Sequence, residues 1–253
     1  MYRITCVHHE DITNERKMKQ ALIGIDAIVH LAGVNRSDSS YDIYYGNVLP
    51  TLQLMENVIR YAPLAKIIYA SSIQVYDKKS FYGIAKSHAE SIIQWYSRRY
   101  DIYSVILRFS NIYGPFCKPF YNSVIATFLY QAVNGQELII YGKGDQKRDF
   151  LYVSDAVNAI QKSLDYISAN RSIIRDVKSG MVYSIEEVVA MIQKHTLLPV
   201  KIIYMKGNKE KKQKSHVCIH PVNIEMGWEP RVSLGKGIQN IFKEEYGNFF
   251  KKT

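Results

Sequence analysis

A strand, a polar turn and a helix follow one another in KIIYASSIQVYDKKSFYGIAKSHAESIIQWYSRRY (Lys66–Tyr100). The apolar run at its start has the length of a buried parallel strand, whereas the part beginning near Gly83 repeats apolar residues at helical spacing. The strand delivers Ser71 and Ser72 to the carboxyl edge of the sheet, where open α/β sheets bind ligands. Lys66–Tyr100 therefore predicts both a fold class and the place of a site.

The alternation of strand and helix continues on both sides. Strands and helices are predicted in ITCV, TNERKMKQAL, AIVHLA and LPTLQLMENVIRYA before it, and in YSVILRF and YNSVIATFLYQAVN after it. This rhythm predicts an α/β fold with a Rossmann-like doubly wound parallel sheet and helices on both faces. From about Gly135 the units become shorter and less regular. We therefore expect a domain at residues 1–134 and a smaller lobe at 135–253 whose chain crosses back to the sheet.

Composition narrows the class of protein. At 47% hydrophobic and 22% charged residues, the 253-residue chain can bury a full core. No apolar run approaches the roughly 18 residues of a membrane helix, and the start lacks an apolar secretion segment, so we expect a cytoplasmic protein without a membrane partner. The cysteines Cys6, Cys117 and Cys218 lie far apart, which fits a reducing compartment and does not indicate a metal site.

The net charge of +10 is uneven, because KGNKEKKQK (Lys206–Lys214) supplies five lysines against one glutamate. We interpret this run as a solvated loop, since a nucleic-acid-binding tail needs more basic residues and interleaved aromatics. A groove that attracts a negatively charged substrate is a milder interpretation of the same excess.

Tyr82 and Lys86 are the candidates for chemistry. At a spacing of four residues in the first turns of a helix, their side chains share one face, and the ammonium is expected to favour the phenolate form of the tyrosine. Ser72 at the strand end could hydrogen-bond the same substrate oxygen. The three residues would together take a proton from an alcohol. The spacing alone is weak, because roughly one or two such pairs arise by chance among this many tyrosines and lysines.

Further motifs carry a resemblance. They are HLAG (30–33), SSIQVY (71–76), YGIAK (82–86), LRFSNIYGP (107–115), GKGDQKRDFLYVSDAVNAI (142–160) and MGWEPRVSLGKGI (226–238). In this order they resemble the extended short-chain dehydrogenase/reductase family, whose members are NAD-dependent epimerases, dehydratases and reductases of nucleotide sugars. KPFYNSVIATF (118–128) is similar to the branch that makes N-acetylated deoxyhexoses for bacterial capsule and O-antigen. The resemblance implies NAD as cofactor, with NADP not excluded, and a nucleotide-diphosphate sugar as substrate.

The resemblance also implies roles for individual residues. Tyr82 would be the general acid or base, Lys86 its partner and a ribose ligand, and Ser72 the hydroxyl that positions the substrate oxygen. The implied cofactor-binding residues are Asp11, Ile12, Leu31, Ala32, Gly33, Asn47, Ser71, Tyr82, Lys86 and Phe109. The implied substrate-binding residues are Asn111, Asn122 and Arg148, and Arg148 would clamp a phosphate oxygen. Family members commonly dimerise through the helix after Asn47 and the helix that carries Tyr82, so a homodimer is expected.

Each of these residues has an ordinary structural interpretation as well. Asn47 and Asn111 could be helix caps, Phe109 could belong to the core, and Arg148 could form a surface ion pair with Asp149. Two residues outside the implied site receive only such an interpretation. His30 is expected to be a core histidine with a hydrogen-bond partner, and Asp155 is expected to be a helix N-cap.

The family's glycine-rich GxxGxxG turn, which holds the pyrophosphate, does not occur in these 253 residues. The chain opens at what resembles the family's third strand, ITCV, with Asp11 and Ile12 where the family touches adenine. The expected NAD-binding domain (1–134) is therefore incomplete, and the sheet should have a gap or an exposed edge. Three explanations stay open: a misplaced start codon, a remnant that binds cofactor poorly, or another chain that supplies the strands.

Two functions of different classes follow. The first is a nucleotide-sugar epimerase or 4-ketoreductase that moves hydride at sugar C4. A 4,6-dehydratase is less expected, because the acidic pair that such enzymes carry is replaced by Ile73 and Gln74. The second is a non-catalytic module that binds a nucleotide sugar or a partner protein without turnover.

Overall fold

The structure is a computed structural model that describes residues 4–121, 123–166, 170–206 and 226–247. The chain divides into two compact units. Unit 1 comprises Met1–Arg108 and Ile160–Asp176, and unit 2 comprises Phe109–Ala159 and Val177–Thr253. The chain leaves unit 1 after Arg108, near the end of its third strand, and returns to it at Ile160. The predicted division into residues 1–134 and 135–253 stays a prediction. The assignment of cofactor to one part and substrate to the other stays a prediction.

Unit 1 is built on a four-stranded sheet in the order β1-β2-β3-β7. Strands β1 and β2 run parallel, with Ala27 opposite Lys66 and His30 opposite Tyr69. The strands are β1 (Ala27–His30), β2 (Lys66–Ser72), β3 (Ser104–Phe109) and β7 (Ser172–Val177). The helices are α1 (Glu15–Leu22), α2 (Ser40–Tyr61) and α3 (Phe81–Tyr100), with 3₁₀ turns at His9–Thr13 and Ile73–Tyr76. Parallel strands alternating with helices confirm the predicted α/β class.

The predicted strand ITCV is wrong, because residues 4–8 adopt no regular structure. Ile4 is 80% exposed and Val7 40% exposed. Among the described residues, no strand pairs with residues 4–8, so their backbone takes part in no sheet hydrogen bonds. In the four-stranded sheet of the described residues, β1 is an edge strand.

The core of unit 1 lies between the sheet and its helices. Its fully buried members include Met55, Val58, Ile67, Ile93 and Ile106. His30 belongs to this interior as predicted: it is 4% exposed, and its Nε2 lies 3.0 Å from Thr51 Oγ1. The buried faces of α2 and α3 thereby fix the helices that position the candidate residues.

Unit 2 contains small sheets and its own core. Strand β6 (Lys147–Tyr152) pairs parallel with β4 (Asn111–Tyr113) and antiparallel with β8 (Val182–Ser184), while β5 (Leu138–Tyr141) pairs parallel with β9 (Ile202–Met205). The remaining helices are α4 (Val124–Val133), α5 (Val153–Asp165), α6 (Ile185–His195) and α7 (Leu234–Glu245). Tyr113, Leu129, Ile192, Ile238 and Phe242 are among the residues of its core.

Asp155 is not the N-cap that the sequence predicts, because it lies inside the first turn of α5. Its Oδ2 accepts the backbone N–H groups of Arg231 and Val232, at 3.1 and 3.0 Å, and its carbonyl accepts the indole N–H of Trp228 at 2.9 Å. Partners distant in sequence therefore determine its role, which the local pattern could not show.

Two other predictions involve residues outside the described ranges. The lysine-rich run from Lys209 onward and Cys218 both lie in residues 207–225. Among the described residues, no helix combines the length and the apolar composition needed to cross a lipid bilayer.

Candidate active site

The end of β2 and the start of α3 are tied together by hydrogen bonds. Ser72 Oγ accepts the N–H of Gln74 at 3.2 Å and so begins the 3₁₀ turn Ile73–Tyr76. Ser80 caps α3 by accepting the N–H of Gly83 at 3.1 Å, and its hydroxyl donates to Gln74 Oε1 at 2.9 Å. The turn after Ser72 and the turn that presents Tyr82 are therefore held to each other.

Gly83 permits this approach. A Cβ atom at Gly83 would lie 2.0 Å from the carbonyl oxygen of Gln74, so no larger residue fits without a backbone shift. Tyr82, the neighbour of Gly83, is thereby placed beside the turn that Ser72 starts. The structure thus brings together the elements that carry Ser72 and Tyr82, as the sequence predicts.

Lys86 lies on the same face of α3, and its side chain is almost completely buried. The residue is 3% exposed, and its Nζ donates to the carbonyl of Ala70 at 2.9 Å. The Nζ also lies 4.8 Å from the ring centroid of Tyr69 and 5.8 Å from that of Tyr82. The ammonium is therefore enclosed by two aromatic rings and the end of β2.

The electrostatics reverse one expectation. Burial raises the pKa of Tyr82 to about 12, so the ammonium of Lys86 does not make the phenol acidic in this arrangement. Burial also lowers the pKa of Lys86 to about 8, although the carboxylate of Glu90 opposes that shift. Both pKa values move toward the neutral form because both groups lose hydration. The hydrogen bond that Lys86 Nζ donates goes to the carbonyl of Ala70. At neutral pH the tyrosine is protonated and the lysine is mostly charged.

Gly33 and Asn47 face the buried amine. The Nδ2 of Asn47 donates to Val34 and Ile43 carbonyls at 2.6 and 2.7 Å, while its buried Oδ1 has no hydrogen-bond partner. A Cβ atom at Gly33 would lie 2.4 Å from that oxygen and 3.1 Å from Lys86 Nζ. Asn47 sits inside α2, so it is not a helix cap. An unpaired acceptor beside a buried ammonium suits a ligand rich in hydroxyl groups, such as the ribose of a dinucleotide.

The other predicted cofactor residues of unit 1 differ in how far they are buried and in whether a protein group binds their side chains. Ser71 is buried and donates to Glu90 Oε1, whereas Leu31 is 62% exposed directly after β1 and the adjoining Ala32 is partly buried. Asp11 forms an ion pair with Lys17 at 2.5 Å, and Ile12 is 7% exposed within the core. Ile12 thus contributes to packing, while the carboxylate of Asp11 is engaged by a protein partner.

In unit 2, Asn111 and Arg148 lie on paired strands. Asn111 is opposite Phe150 in the β4–β6 register, and its Nδ2 donates to the carbonyl of Asp149 at 2.9 Å. Arg148 is half-buried, its Nη1 donates to the carbonyl of Lys147 at 3.1 Å, and burial lowers the pKa of its guanidinium. Asn111 lies in a strand, so it is not a helix cap.

Asp149 has partners of its own. Its carboxylate accepts Ser110 Oγ at 2.6 Å and the N–H groups of Ser179 and Gly180, both at 2.9 Å. Phe109, at the end of β3, is 5% exposed, as its core interpretation expects, and Asn122 falls outside the described residues. The described residues contain no group of three or more His, Cys, Asp or Glu side chains that could hold a metal ion.

The sequence analysis did not identify Glu90 and Arg108. Glu90 accepts a hydrogen bond from Ser71, and Arg108 donates to both Glu90 and Tyr76. Glu90 follows Lys86 by the same four residues that separate Lys86 from Tyr82. That repeated spacing was a readable signal, because residues at i, i+4 and i+8 share a helix face. Arg108 had no such signal, since its contact with Glu90 depends on how β3 packs against α3.

The parallel sheet, its strand-end serines and the Tyr82–Lys86 pair on the following helix define the class of short-chain dehydrogenases/reductases. Within that class the chain belongs to the NAD dependent epimerase/dehydratase family, whose profile matches residues 2–174.

Among curated relatives, a putative UDP-glucose 4-epimerase of Methanocaldococcus jannaschii is 29% identical, and the alignment covers 86% of this chain and 76% of that protein. The CDP-abequose synthase of Salmonella typhimurium is 26% identical, covering 92% of this chain and 80% of that protein. The crystal structure of the UDP-glucose 4-epimerase of Thermotoga maritima with UDP-glucose has a TM-score of 0.84 at 23% identity, covering 98% and 86% of the two chains. MoeE5 in complex with UDP-glucuronic acid and NAD has a TM-score of 0.79 at 25% identity, covering 89% and 81%.

Proposed function

We propose that this protein is a nucleotide-sugar epimerase or 4-ketoreductase that transfers hydride at sugar C4 with Tyr82 as its acid/base. The observation that carries the proposal is the enclosure of Lys86, whose 3% exposed amine lies against Tyr82 on one side and the end of β2 on the other. A buried cation is costly unless it has partners, and beside this one the buried Oδ1 of Asn47 has no hydrogen-bond partner. Family membership supports the same chemistry.

NAD supplies and accepts the hydride in this chemistry when it is bound, and NADP is not excluded. Lys86 and Asn47 would hold its ribose through the remaining ammonium protons and the free amide oxygen. Gly33 would let the ribose approach, since a side chain there would occupy the space next to both groups. Leu31, Ala32, Ser71, Asp11, Ile12 and Phe109 stay predicted cofactor contacts.

Tyr82 would exchange its proton with the oxygen at C4. With a pKa of about 12, the phenol is protonated at neutral pH and is ready to donate to the oxygen of a 4-ketone. For the reverse step, in which a C4 hydroxyl is oxidised, the positive charges of Lys86 and of an oxidised nicotinamide must lower that pKa. Ser72 would hold the same oxygen through its hydroxyl. The two directions of the reaction therefore differ in what they require of Tyr82: donation of its proton for ketone reduction and a lowered pKa for alcohol oxidation.

The substrate would be a nucleotide-diphosphate sugar. Relatives named for UDP-glucose and for a CDP-sugar, and a structural neighbour solved with UDP-glucuronic acid, support this class of substrate. In unit 2 the planar guanidinium of Arg148 suits a phosphate oxygen, and Asn111 and Asn122 stay predicted contacts. The likeness of residues 118–128 to the deoxyhexose branch supports a role in surface-polysaccharide sugar biosynthesis.

The homodimer expected from the family stays a prediction. Its support is the apolar surface of α2, where Tyr41 is 62% exposed, Leu49 39% and Leu52 37%. On α3, Trp95 is 56% exposed. Exposed apolar side chains in this number on neighbouring helices are suited to a helix-packed interface.

Replacing Tyr82 by Phe tests the proposal. We expect Tyr82→Phe to lower kcat about 10²- to 10⁴-fold with little change in KM, because the variant keeps the ring and loses only the exchangeable proton. Turnover of UDP- and dTDP-hexoses with added NAD(H) would be followed by sugar NMR. Tyr130→Phe, on an exposed tyrosine of α4, is the matched control and should keep the original rate.

Unchanged turnover in Tyr82→Phe would remove this residue from the mechanism. If the unaltered protein bound nucleotide sugars by calorimetry and turned none of them over with NAD present, the non-catalytic module would be the correct function.

A further inference from the structure

A buried chain of charged and polar groups lies behind Lys86. Glu90, one helical turn further along α3, is 3% exposed, and three hydrogen bonds reach its carboxylate. Ser71 Oγ donates to Oε1 at 2.5 Å, Arg108 Nε donates to Oε1 at 2.9 Å, and the Arg108 guanidinium donates to Oε2 at 2.6 Å. The fork of a guanidinium on both carboxylate oxygens is the geometry of a strong, fixed ion pair.

Arg108 continues this series of hydrogen-bonded groups toward the turn that Ser72 begins. Its Nη1 donates to Tyr76 Oη at 2.8 Å, and its guanidinium carbon lies 4.9 Å from the Tyr76 ring centroid. Tyr76 in turn donates to Asp176 Oδ1 at 2.9 Å. Tyr76 closes the 3₁₀ turn that starts after Ser72. One arginine on β3 thus connects the helix that carries Tyr82 and Lys86 with the turn that carries Ser72.

The cost of such an arrangement needs an explanation. Burying an ion pair removes two charges from water and is weak as a source of stability, since apolar residues of the same volume often do as well. Here the carboxylate of the pair lies near a third charged group, the amine of Lys86. Lys86 is one turn away on the same face, at the spacing where opposite charges on a helix attract. Its own burial disfavours the charged amine, and Glu90 is the group that opposes this effect.

The other groups around Lys86 do not supply an opposing charge. Strand β2 presents the ring of Tyr69, α3 presents the ring of Tyr82, and α2 presents the amide of Asn47. Both phenols are neutral at neutral pH, because burial raises the pKa of each. Among the described residues that adjoin the amine, Glu90 is accordingly the source of negative charge.

We propose that Glu90 is a positioning residue that keeps the buried amine of Lys86 protonated, and that Arg108 fixes Glu90 while anchoring the turn of Ser72. This inference rests on the proposed function for the role of Lys86, but the charge of Lys86 can be measured without any turnover. Without Glu90 the amine loses its proton at lower pH. The site then lacks the cation that a ribose and a developing tyrosinate both need.

The test is the titration of the Lys86 ε-carbon by ¹³C NMR in the unaltered protein and in Glu90→Gln, with the Lys86 signal assigned by its absence from Lys86→Met. Glutamine keeps the volume and one acceptor oxygen for Ser71, but it removes the charge. We expect the titration midpoint to fall by about one pH unit in Glu90→Gln. Where turnover is measurable, the alkaline limb of kcat against pH should move down equally, while KM for the sugar nucleotide changes little.

Asp176→Asn is the matched control. It removes the buried carboxylate that accepts the hydrogen bond of Tyr76, at the far end of the same hydrogen-bonded series from Lys86. It should leave the Lys86 midpoint in place. If Glu90→Gln does not fold, the double variant Glu90→Gln/Arg108→Met removes both charges, and its Lys86 midpoint should still fall, by less than in the single variant because a neighbouring cation is removed as well.

An unchanged Lys86 midpoint in a folded Glu90 variant would overturn the inference, and so would an equal shift in Asp176→Asn. An absence of turnover combined with the expected shift would instead count against the proposed function alone, because the electrostatic link would then be present without the reaction.

Discussion

The candidate residues of unit 1 and those of unit 2 are assembled in different ways. In unit 1, Tyr82, Lys86 and Glu90 succeed one another by four residues on a single helix, and Ser72 ends the strand just before it. In unit 2, Asn111 reaches the backbone of Asp149 from a position 38 residues away, through the pairing of β4 with β6. Local spacing therefore builds one set and strand register builds the other.

The two sets also differ in the hydrogen-bond partners of their charged side chains. Glu90 and Arg108 in unit 1 are bound to each other and to Ser71 and Tyr76, so they form a fixed frame. Arg148 in unit 2 is half-buried, and its Nη1 donates to the main-chain carbonyl of the adjacent residue. A phosphate is a stronger partner than such a carbonyl. Glu90 and Arg108 are thus fixed by side-chain partners within unit 1, while Arg148 of unit 2 stays a proposed contact for an anionic substrate.

The largest expected effect tests how closely the frame of unit 1 is packed. Gly83→Ala would place a methyl group 2.0 Å from the Gln74 carbonyl, which is backbone and cannot turn away. We expect the free energy of unfolding to fall by about 3 kcal/mol or more, because either α3 or the 3₁₀ turn must shift. Urea unfolding followed by circular dichroism measures it.

The matched variant is Gly235→Ala in α7 of unit 2, where nothing lies within 4 Å of the added atom. Alanine should there raise the free energy of unfolding by about 0.5–1 kcal/mol, through its better helix propensity. Equal effects at the two glycines would mean that the contact between α3 and the turn after Ser72 is not close in solution.

An intermediate effect concerns the cost of the buried lysine. The pKa of Lys86 is about 8 in the folded protein against 10.5 ordinarily, so between these values the unfolded chain binds more protons and stability rises with pH. Below pH 8 both states are protonated and the full cost is present. We expect Lys86→Met to raise the free energy of unfolding by about 2 kcal/mol at pH 7, allowing for the lost hydrogen bond to Ala70, and to abolish the rise between pH 8 and 10.5.

Lys162→Met, at an exposed lysine of α5, should leave both the stability and its pH dependence unchanged. If Lys86→Met destabilised the protein at pH 7, the amine would be better solvated than its enclosure indicates, and the comparison between the two sets would lose its main support.

The same contrast explains what could be predicted from sequence. The α/β class, β2, α3 and the buried His30 were readable, because apolar runs and helical spacing report burial directly. The predicted strand ITCV failed, since a strand forms only if another chain segment offers it hydrogen bonds. The cap at Asp155 failed because its partners, Arg231 and Val232, lie far along the chain. The upward shift of the Tyr82 pKa was not readable, because a sequence shows a nearby lysine, which lowers the pKa of a phenol. It does not show the loss of hydration on burial, which raises that pKa more.

The smallest expected effect concerns the anion contact of unit 2. Arg148→Gln removes the charge and the fork of a half-buried guanidinium, so we expect the Kd for a UDP-hexose to rise about tenfold, which corresponds to roughly 1–2 kcal/mol. NAD binding and the pH dependence of turnover should stay as they are, because the proposed acid/base residues lie in unit 1. Isothermal titration calorimetry at two salt concentrations measures the loss and its ionic part.

Arg231→Gln, at an exposed arginine of the same unit, controls for net charge alone. A fall in affinity of the same size in both variants would indicate a diffuse field and no specific phosphate contact at Arg148. An unchanged Kd in Arg148→Gln would remove this residue from substrate binding. A loss confined to Arg148→Gln would instead separate the two sets of residues by function, since the variant would weaken anion binding while the Lys86 titration stayed constant.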